Sequence, residues 1–193
     1  MKVKICGLKR NEDIDMVNQL NPDFIGFVFA GEKHKITFEQ AKTLKSCLKP
    51  SIQAVGVFIN EPIDNILSLV EKGIIDCIQL HGKEPNTYIS SLKSKAHSSI
   101  IKAFTPESFS LANTCPADFI LLDNGQGTGE SFNWDLTTTI NRPFFLAGGI
   151  NENNIKKAIS INPFAIDISS GVETNGEKDY KKMKILIDLI RKK

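Results

Sequence analysis

Eight short apolar runs, separated by stretches of helical periodicity, constrain the fold of this chain more than any other feature. The runs are Val3–Cys6, Phe24–Phe29, Ala54–Ile59, Cys77–Leu80, Ile100–Phe104, Phe119–Leu122, Phe144–Ala147 and Ala165–Ile168. Most are continuous hydrophobics with little alternation, the pattern of parallel strands covered on both faces. Between them, Ile14, Val17 and Leu20 mark a helix over Asn11–Leu20, and Ala41, Leu44 and Leu48 mark one over Phe38–Leu48. Pro62–Val70, Glu84–Leu92, Asn153–Ile159 and Asp179–Ile190 read the same way. Pro62 suits a helix start, and Asn151 suits an N-cap with Asn154 where a capping box has Glu. Pro106–Asn113 and Asp135–Thr139 are weaker and predict short or irregular helices. Strands alternating with helices require right-handed crossovers. That leaves a doubly wound open sheet or a (β/α)8 barrel, and the count of eight favours the barrel, an α/β fold of one compact domain over residues 1–193. Barrels usually run from roughly 200 residues upward, so the loops of a 193-residue chain must be short.

The charges nearly cancel, 24 Lys+Arg against 22 Asp+Glu, which gives no reason to expect nucleic acid or an anionic membrane as partner. Lys181-Lys182 and Arg191-Lys192-Lys193 read as a solvated helix face and tail. No run approaches the roughly 18 apolar residues of a membrane helix, and the N-terminus enters a strand directly, so no secretory signal is expected. The cysteines, Cys6, Cys47, Cys77 and Cys115, are widely and irregularly spaced without a C-x-x-C pair, so neither a metal site nor a disulfide framework is expected. Free thiols in a reducing cytoplasm fit this usage. Cys47, Cys77 and Cys115 read as small core residues.

In a barrel the loops after the strands build the active site. Two of those strand ends carry groups suited to proton transfer. Cys6 closes the first run before Gly7, and Asp123 closes the sixth before Gly125, Gly127 and Gly129. A partly desolvated carboxyl can serve as an acid, and a thiolate favoured by basic neighbours or backbone donors can serve as a base. Gly148-Gly149 ahead of the helix opened by Asn151, together with Ser169-Ser170-Gly171 one strand later, can hold a phosphate on backbone N–H groups and hydroxyls. His81, in Gln79-Leu80-His81-Gly82, makes either a structural hydrogen bond or a pocket contact. His34 lies in a polar loop at the active-site end, and His97 reads as exposed. Trp134 reads as a packing anchor. Lys102 points either into the barrel or outward.

Taken together these residues resemble phosphoribosylanthranilate isomerase, the Amadori isomerase of tryptophan biosynthesis. The resemblance runs end to end: Lys4-Ile5-Cys6-Gly7, Gly26-Phe27-Val28-Phe29, Gly56-Val57-Phe58, Gln79-Leu80-His81-Gly82, Leu122-Asp123 with Gly127-Thr128-Gly129 and Phe132-Asn133-Trp134, Leu146-Ala147-Gly148-Gly149-Ile150, and Asp167-Ile168-Ser169-Ser170-Gly171-Val172-Glu173. It implies a small (β/α)8 barrel, without cofactor or metal and often monomeric, acting on a small phosphorylated substrate. It implies Asp123 as general acid on the furanose ring oxygen and Cys6 as general base at C2′. Gly148, Gly149, Ser169, Ser170 and Gly171 would hold the phosphate with Asp167 orienting that loop, and Gly127 and His81 would line the substrate site.

One position departs. The family usually has an arginine in the loop after strand 2 that grips the anthranilate carboxylate. Here the stretch reads Glu32-Lys33-His34-Lys35, with His34 in its place and no planar bidentate fork. His34, with Lys33 or Lys35, is expected to supply the anion contact. Three alternatives are weaker. A catalytically silent metabolite-binding barrel would not need both Cys6 and Asp123. Indole-3-glycerol-phosphate synthase relies on lysines and glutamates at strand ends. A sugar isomerase acting on an aminoimidazole substrate would carry an aspartate where Cys6 stands.

Overall fold

The computed structural model describes residues 1–124 and 131–192. Eight parallel strands close into one barrel: β1 (Lys2–Cys6), β2 (Phe24–Val28), β3 (Gln53–Phe58), β4 (Cys77–Leu80), β5 (Ser99–Phe104), β6 (Phe119–Leu122), β7 (Phe144–Leu146) and β8 (Ala165–Ile168). Parallel pairing of β8 with β1, Lys2 opposite Ala165 through Ile5 opposite Ile168, is the closure that excludes the open sheet.

The crossovers carry α1 (Asn11–Leu20), α2 (Phe38–Ser46), α3 (Ile63–Glu71), α4 (Asn86–Lys95), α5 (Ile155–Ser160) and α6 (Tyr180–Arg191). Local chemistry sets several of their starts. Thr37 and Gln40 form a reciprocal capping box on α2, and Asp179 accepts from the Lys181 and Lys182 N–H groups at the head of α6. The two weak periodicities form 3-10 helices, Pro106–Thr114 and Trp134–Thr139. Asn151 is not the N-cap expected of it: α5 begins at Ile155 with Asn154 as its cap, and Asn151 forms a turn ahead of it, its N–H donating to Asn154 Oδ1 and its own Oδ1 accepting from Asn153 N–H.

Four further expectations are corrected. Glu84 lies outside α4, which starts after Pro85, because the Glu84 carboxylate is buried between the Asn60 N–H and the Lys102 ammonium. Cys47 is exposed, not core, because α2 ends at Ser46 and turns it to solvent, whereas Cys77 and Cys115 are buried. Arg191 is not simply solvated: its guanidinium donates to the Leu20 and Asn21 carbonyls and ties α6 to the end of α1. Lys182 likewise donates to the Glu173 carbonyl. His97 is exposed and Trp134 buried, as read from the sequence.

Strand alternation sorts the core into two layers. Ile5, Ile25, Ile78, Ile120 and Ile166 face the helices, while Phe24, Val55, Cys77, Ile101, Leu121, Phe145 and Ala165 face the lumen. The amino end of the barrel is plugged by aromatic packing, with Phe24 and Phe145 rings 5.5 Å apart and Phe119 stacked on Phe164 at 4.7 Å. Lys102 sits between lumen-facing Ile101 and Ala103, so its own side chain leaves the lumen. It rises to the loop after β4, where it donates to the Gly82 carbonyl at 2.7 Å. A hairpin absent from the sequence reading follows β8, formed by β9 (Glu173–Thr174) and β10 (Glu177–Lys178). Its turn, Asn175-Gly176, has both residues at positive φ, 54° and 80°, the two-residue connection such dipeptides favour.

Among the described residues no helix is long and apolar enough to cross a membrane.

Candidate active site

The carboxyl ends of the strands surround a cavity of about 240 Å³ lined by Cys6, His34, His81, Asp123, Gly148, Gly149, Asp167, Ser169 and Ser170, among others. Through Ile59, His81 and Asp123 it adjoins a second lobe of about 770 Å³ beside Lys102 and Thr105. The first lobe alone is small for a drug-sized ligand, and the two together reach the top of the usual range of roughly 300–1,000 Å³. Nearly every site residue expected from the sequence is thus brought to one mouth. Gly127 lies outside the described residues, as do the flanking Gly125 and Gly129.

Cys6 ends β1 with its side chain on the lumen face, the face it shares with Lys4. Across the ladder its partner is Gly26, where an added Cβ would come within 2.5 Å of Cys6 Sγ. The glycine makes the space the sulfur occupies. Burial pushes the thiol pKa up, Lys4 pulls it down, Asp167 pushes it up and Lys178 pulls it down. The balance stays above the ordinary value.

Asp123 follows β6, with its N–H donated to the Phe104 carbonyl at 3.0 Å. Its Oδ2 lies 3.3 Å from His81 Nε2, and His81 Nδ1 lies 3.1 Å from the Gln79 amide nitrogen. The Gln79 amide and the Asp123 carboxylate thus face the two ring nitrogens of His81, one each. This turns the sequence's open choice for His81 into both roles at once, a structural hydrogen bond below and a pocket contact above.

His34 holds a left-handed backbone, φ 63°, and its ring covers Gly7, immediately after Cys6. The side chain is only 9% exposed, and Nε2 sits 3.1 Å from Glu173 Oε1, off the line of an aligned hydrogen bond. Glu173 also meets Lys178 Nζ at 2.6 Å and Lys33 Nζ at 3.7 Å. Burial alone would push the Glu173 carboxyl up, but His34 and Lys178 outweigh it and bring it down to about 2. Lys33, not Lys35, joins His34 in lining the cavity. The Glu173 hub went unnoticed in the sequence, although Asn175-Gly176 was a signal for the hairpin that carries it.

The two glycine-rich ends meet as expected. Gly148 and Gly149 both have positive φ, 83° and 62°. Gly171 lies so close to the preceding loop that a Cβ would fall 1.9 Å from the Ile150 carbonyl oxygen. The loops after β7 and β8 therefore pack as one unit, and only glycine permits it. Among the described residues the Gly148 and Gly149 N–H groups donate to no backbone carbonyl. Asp167 departs from its expected part. It enters the lumen and pairs with Lys4 at 2.8 Å, not with the phosphate loop, because β8 alternation directs it opposite Lys4.

Fold and mouth together define a single-domain (β/α)8 barrel with a cysteine, a histidine-backed aspartate and a glycine-rich corner at the carboxyl ends of its strands. The chain belongs to the N-(5'phosphoribosyl)anthranilate (PRA) isomerase family, whose model matches residues 3–189. It is 46% identical to N-(5'-phosphoribosyl)anthranilate isomerase of Endomicrobium trichonymphae over 98% of each chain. It is 44% identical to that of Thermoanaerobacter sp. (strain X514) over 99% of this chain and 98% of the other. The solved phosphoribosyl anthranilate isomerase of Thermotoga maritima superposes with a TM-score of 0.90 at 32% identity, covering 100% of both chains. A phosphoribosyl anthranilate isomerase solved with reduced 1-(o-carboxyphenylamino)-1-deoxyribulose 5-phosphate superposes at 0.88 with 31% identity, also over 100% of both chains.

Proposed function

We propose that this chain catalyses the Amadori rearrangement of N-(5-phosphoribosyl)anthranilate to 1-(2-carboxyphenylamino)-1-deoxyribulose 5-phosphate in tryptophan biosynthesis, by acid–base catalysis between Asp123 and Cys6. The observation that carries this reading is that Cys6, at the end of β1, and Asp123, just after β6, line one cavity that Gly148, Gly149, Ser169 and Ser170 also line. Family membership supports it independently.

The geometry suits the chemistry. The phosphate sits on the paired glycine-rich loops, and that remote grip orients the ribose between acid and base. Asp123 protonates the furanose oxygen as the ring opens to a Schiff base, and His81 steadies the carboxylate left behind. Cys6, as thiolate, takes the C2′ proton to give an enolamine that tautomerises to the ketone. The anthranilate nitrogen carries the charge as iminium, so no separate electron sink is required. His34, with Lys33 beside it, faces the anthranilate carboxylate.

The test is the fluorescence decay of freshly prepared phosphoribosylanthranilate with the unaltered chain, Cys6→Ser and Asp123→Asn. Each substitution is expected to lower kcat by about 10²-fold or more. Full activity in both variants would overturn the acid–base assignment.

A further inference from the structure

Lys4 is a fully buried charge, 0% exposed in the barrel lumen. Burying an ion pair usually contributes little to stability, since apolar residues of similar volume do as well or better. Nothing in the fold alone therefore accounts for it, and its neighbours suggest what does. Lys4 and Asp167 are direct partners across the β1–β8 ladder, joined at 2.8 Å. Cys6 stands two residues further along the same face of β1, with its sulfur at the cavity wall. Asp167 Oδ1 is buried without a hydrogen-bond partner and lines that same cavity. One buried ammonium thus lies beneath two acids, a carboxylate it already holds and a thiol it can stabilise only once that thiol has ionised.

We propose that Lys4 is the positioning residue of the general base, the fixed cation that makes a thiolate tenable at Cys6, with Asp167 holding its ammonium in place. The inference rests on the reading of Cys6 as base. When the thiolate accepts the C2′ proton, a carbon–hydrogen bond breaks and a sulfur–hydrogen bond forms. Lys4 keeps its own proton throughout and falls back on Asp167 alone. Asp167 works in the opposite sense to Lys4, because its negative charge raises the cost of a thiolate nearby. The other charges around Cys6 are Lys178 on β10, Glu173 on β9, His34 and Lys33 after β2, and His81 and Asp123 across the mouth. Of these, Lys178 is already bound to Glu173 and the Ser169 carbonyl.

The experiment follows iodoacetamide alkylation of Cys6 against pH, peptide by peptide, with exposed Cys47 as internal reference. Lys4→Met is expected to move the Cys6 midpoint up by at least one pH unit, so alkylation near neutral pH slows about ten-fold while Cys47 is unchanged. Asp167→Asn is expected to move it down. The double variant removes the carboxylate that Lys4→Met would leave unpaired and keeps the test open if the single variant folds poorly. Its midpoint must lie above that of Asp167→Asn. In turnover, Lys4→Met lowers kcat with KM within two-fold, and raising the pH recovers much of the loss. A pair with only a structural role would shift both single variants the same way or neither, and that result overturns the inference, as does a kcat loss independent of pH. Alkylation needs no substrate, so activity retained by Cys6→Ser would overturn the functional reading while leaving the titration to judge Lys4.

Discussion

Glu173 offers a quantitative test of how the mouth is held together. Its side chain is 6% exposed and gathers Lys178, His34 and Lys33, joining the hairpin after β8 to the loop after β2. The drop of its carboxyl from the ordinary 4.5 to about 2 corresponds to about 3 kcal/mol as a ceiling. Solvent at the rim screens part of that, leaving an expectation of about 2 kcal/mol. Because the folded pKa is depressed, this stability is fully present above about 4.5 and is lost as pH falls towards 2. Glu173→Gln keeps the shape and removes the charge, leaving the Lys178 ammonium, with a side chain only 2% exposed, short of its anion. Urea unfolding at pH 7 is expected to show about 2 kcal/mol of destabilisation. By thermal melting, at about 2–4 °C per kcal/mol for a chain of this size, Tm should fall by about 4–8 °C. The gap between variant and parent should narrow steadily from pH 5 to pH 3. A gap of the same size at pH 7 and pH 3, or one under about 0.5 kcal/mol throughout, would refute the argument that charge holds the two loops together.

Two further substitutions read the site directly. Gly26→Ala brings a methyl to within 2.5 Å of Cys6 Sγ. It should cost about 1–3 kcal/mol on urea unfolding and lower kcat more than it changes KM. His34→Ala is expected to raise KM for phosphoribosylanthranilate several-fold, and His34→Arg to match or improve on the unaltered chain. An unchanged KM in the alanine variant would remove His34 from the carboxylate contact.

The barrel strands, the helices between them, the strand-end positions of Cys6 and Asp123 and the glycine-rich corner were legible in the linear sequence, because each depends on local pattern. An unbroken apolar run specifies a strand buried on both faces, and a polar residue at its end falls at the mouth. Asp123, Cys6 and Gly148-Gly149 owe their positions to that rule. The weak patterns after β5 and β6 gave correspondingly weak structures, the two 3-10 helices.

What the sequence left undecided depends on partners far apart in the chain. Closure over the open sheet rests on β8 finding β1, and no local preference records that. Lys4 looked like an ordinary residue of a strand until the ladder set it against Asp167, 163 residues away. His34 looked like a replacement for an arginine, and the fold gave it Glu173 as a neighbour. Local periodicity therefore determined which residues reach the mouth, whereas the register of a closed barrel decided which charges meet there, because only ring closure brings the first and last strands within ion-pair distance.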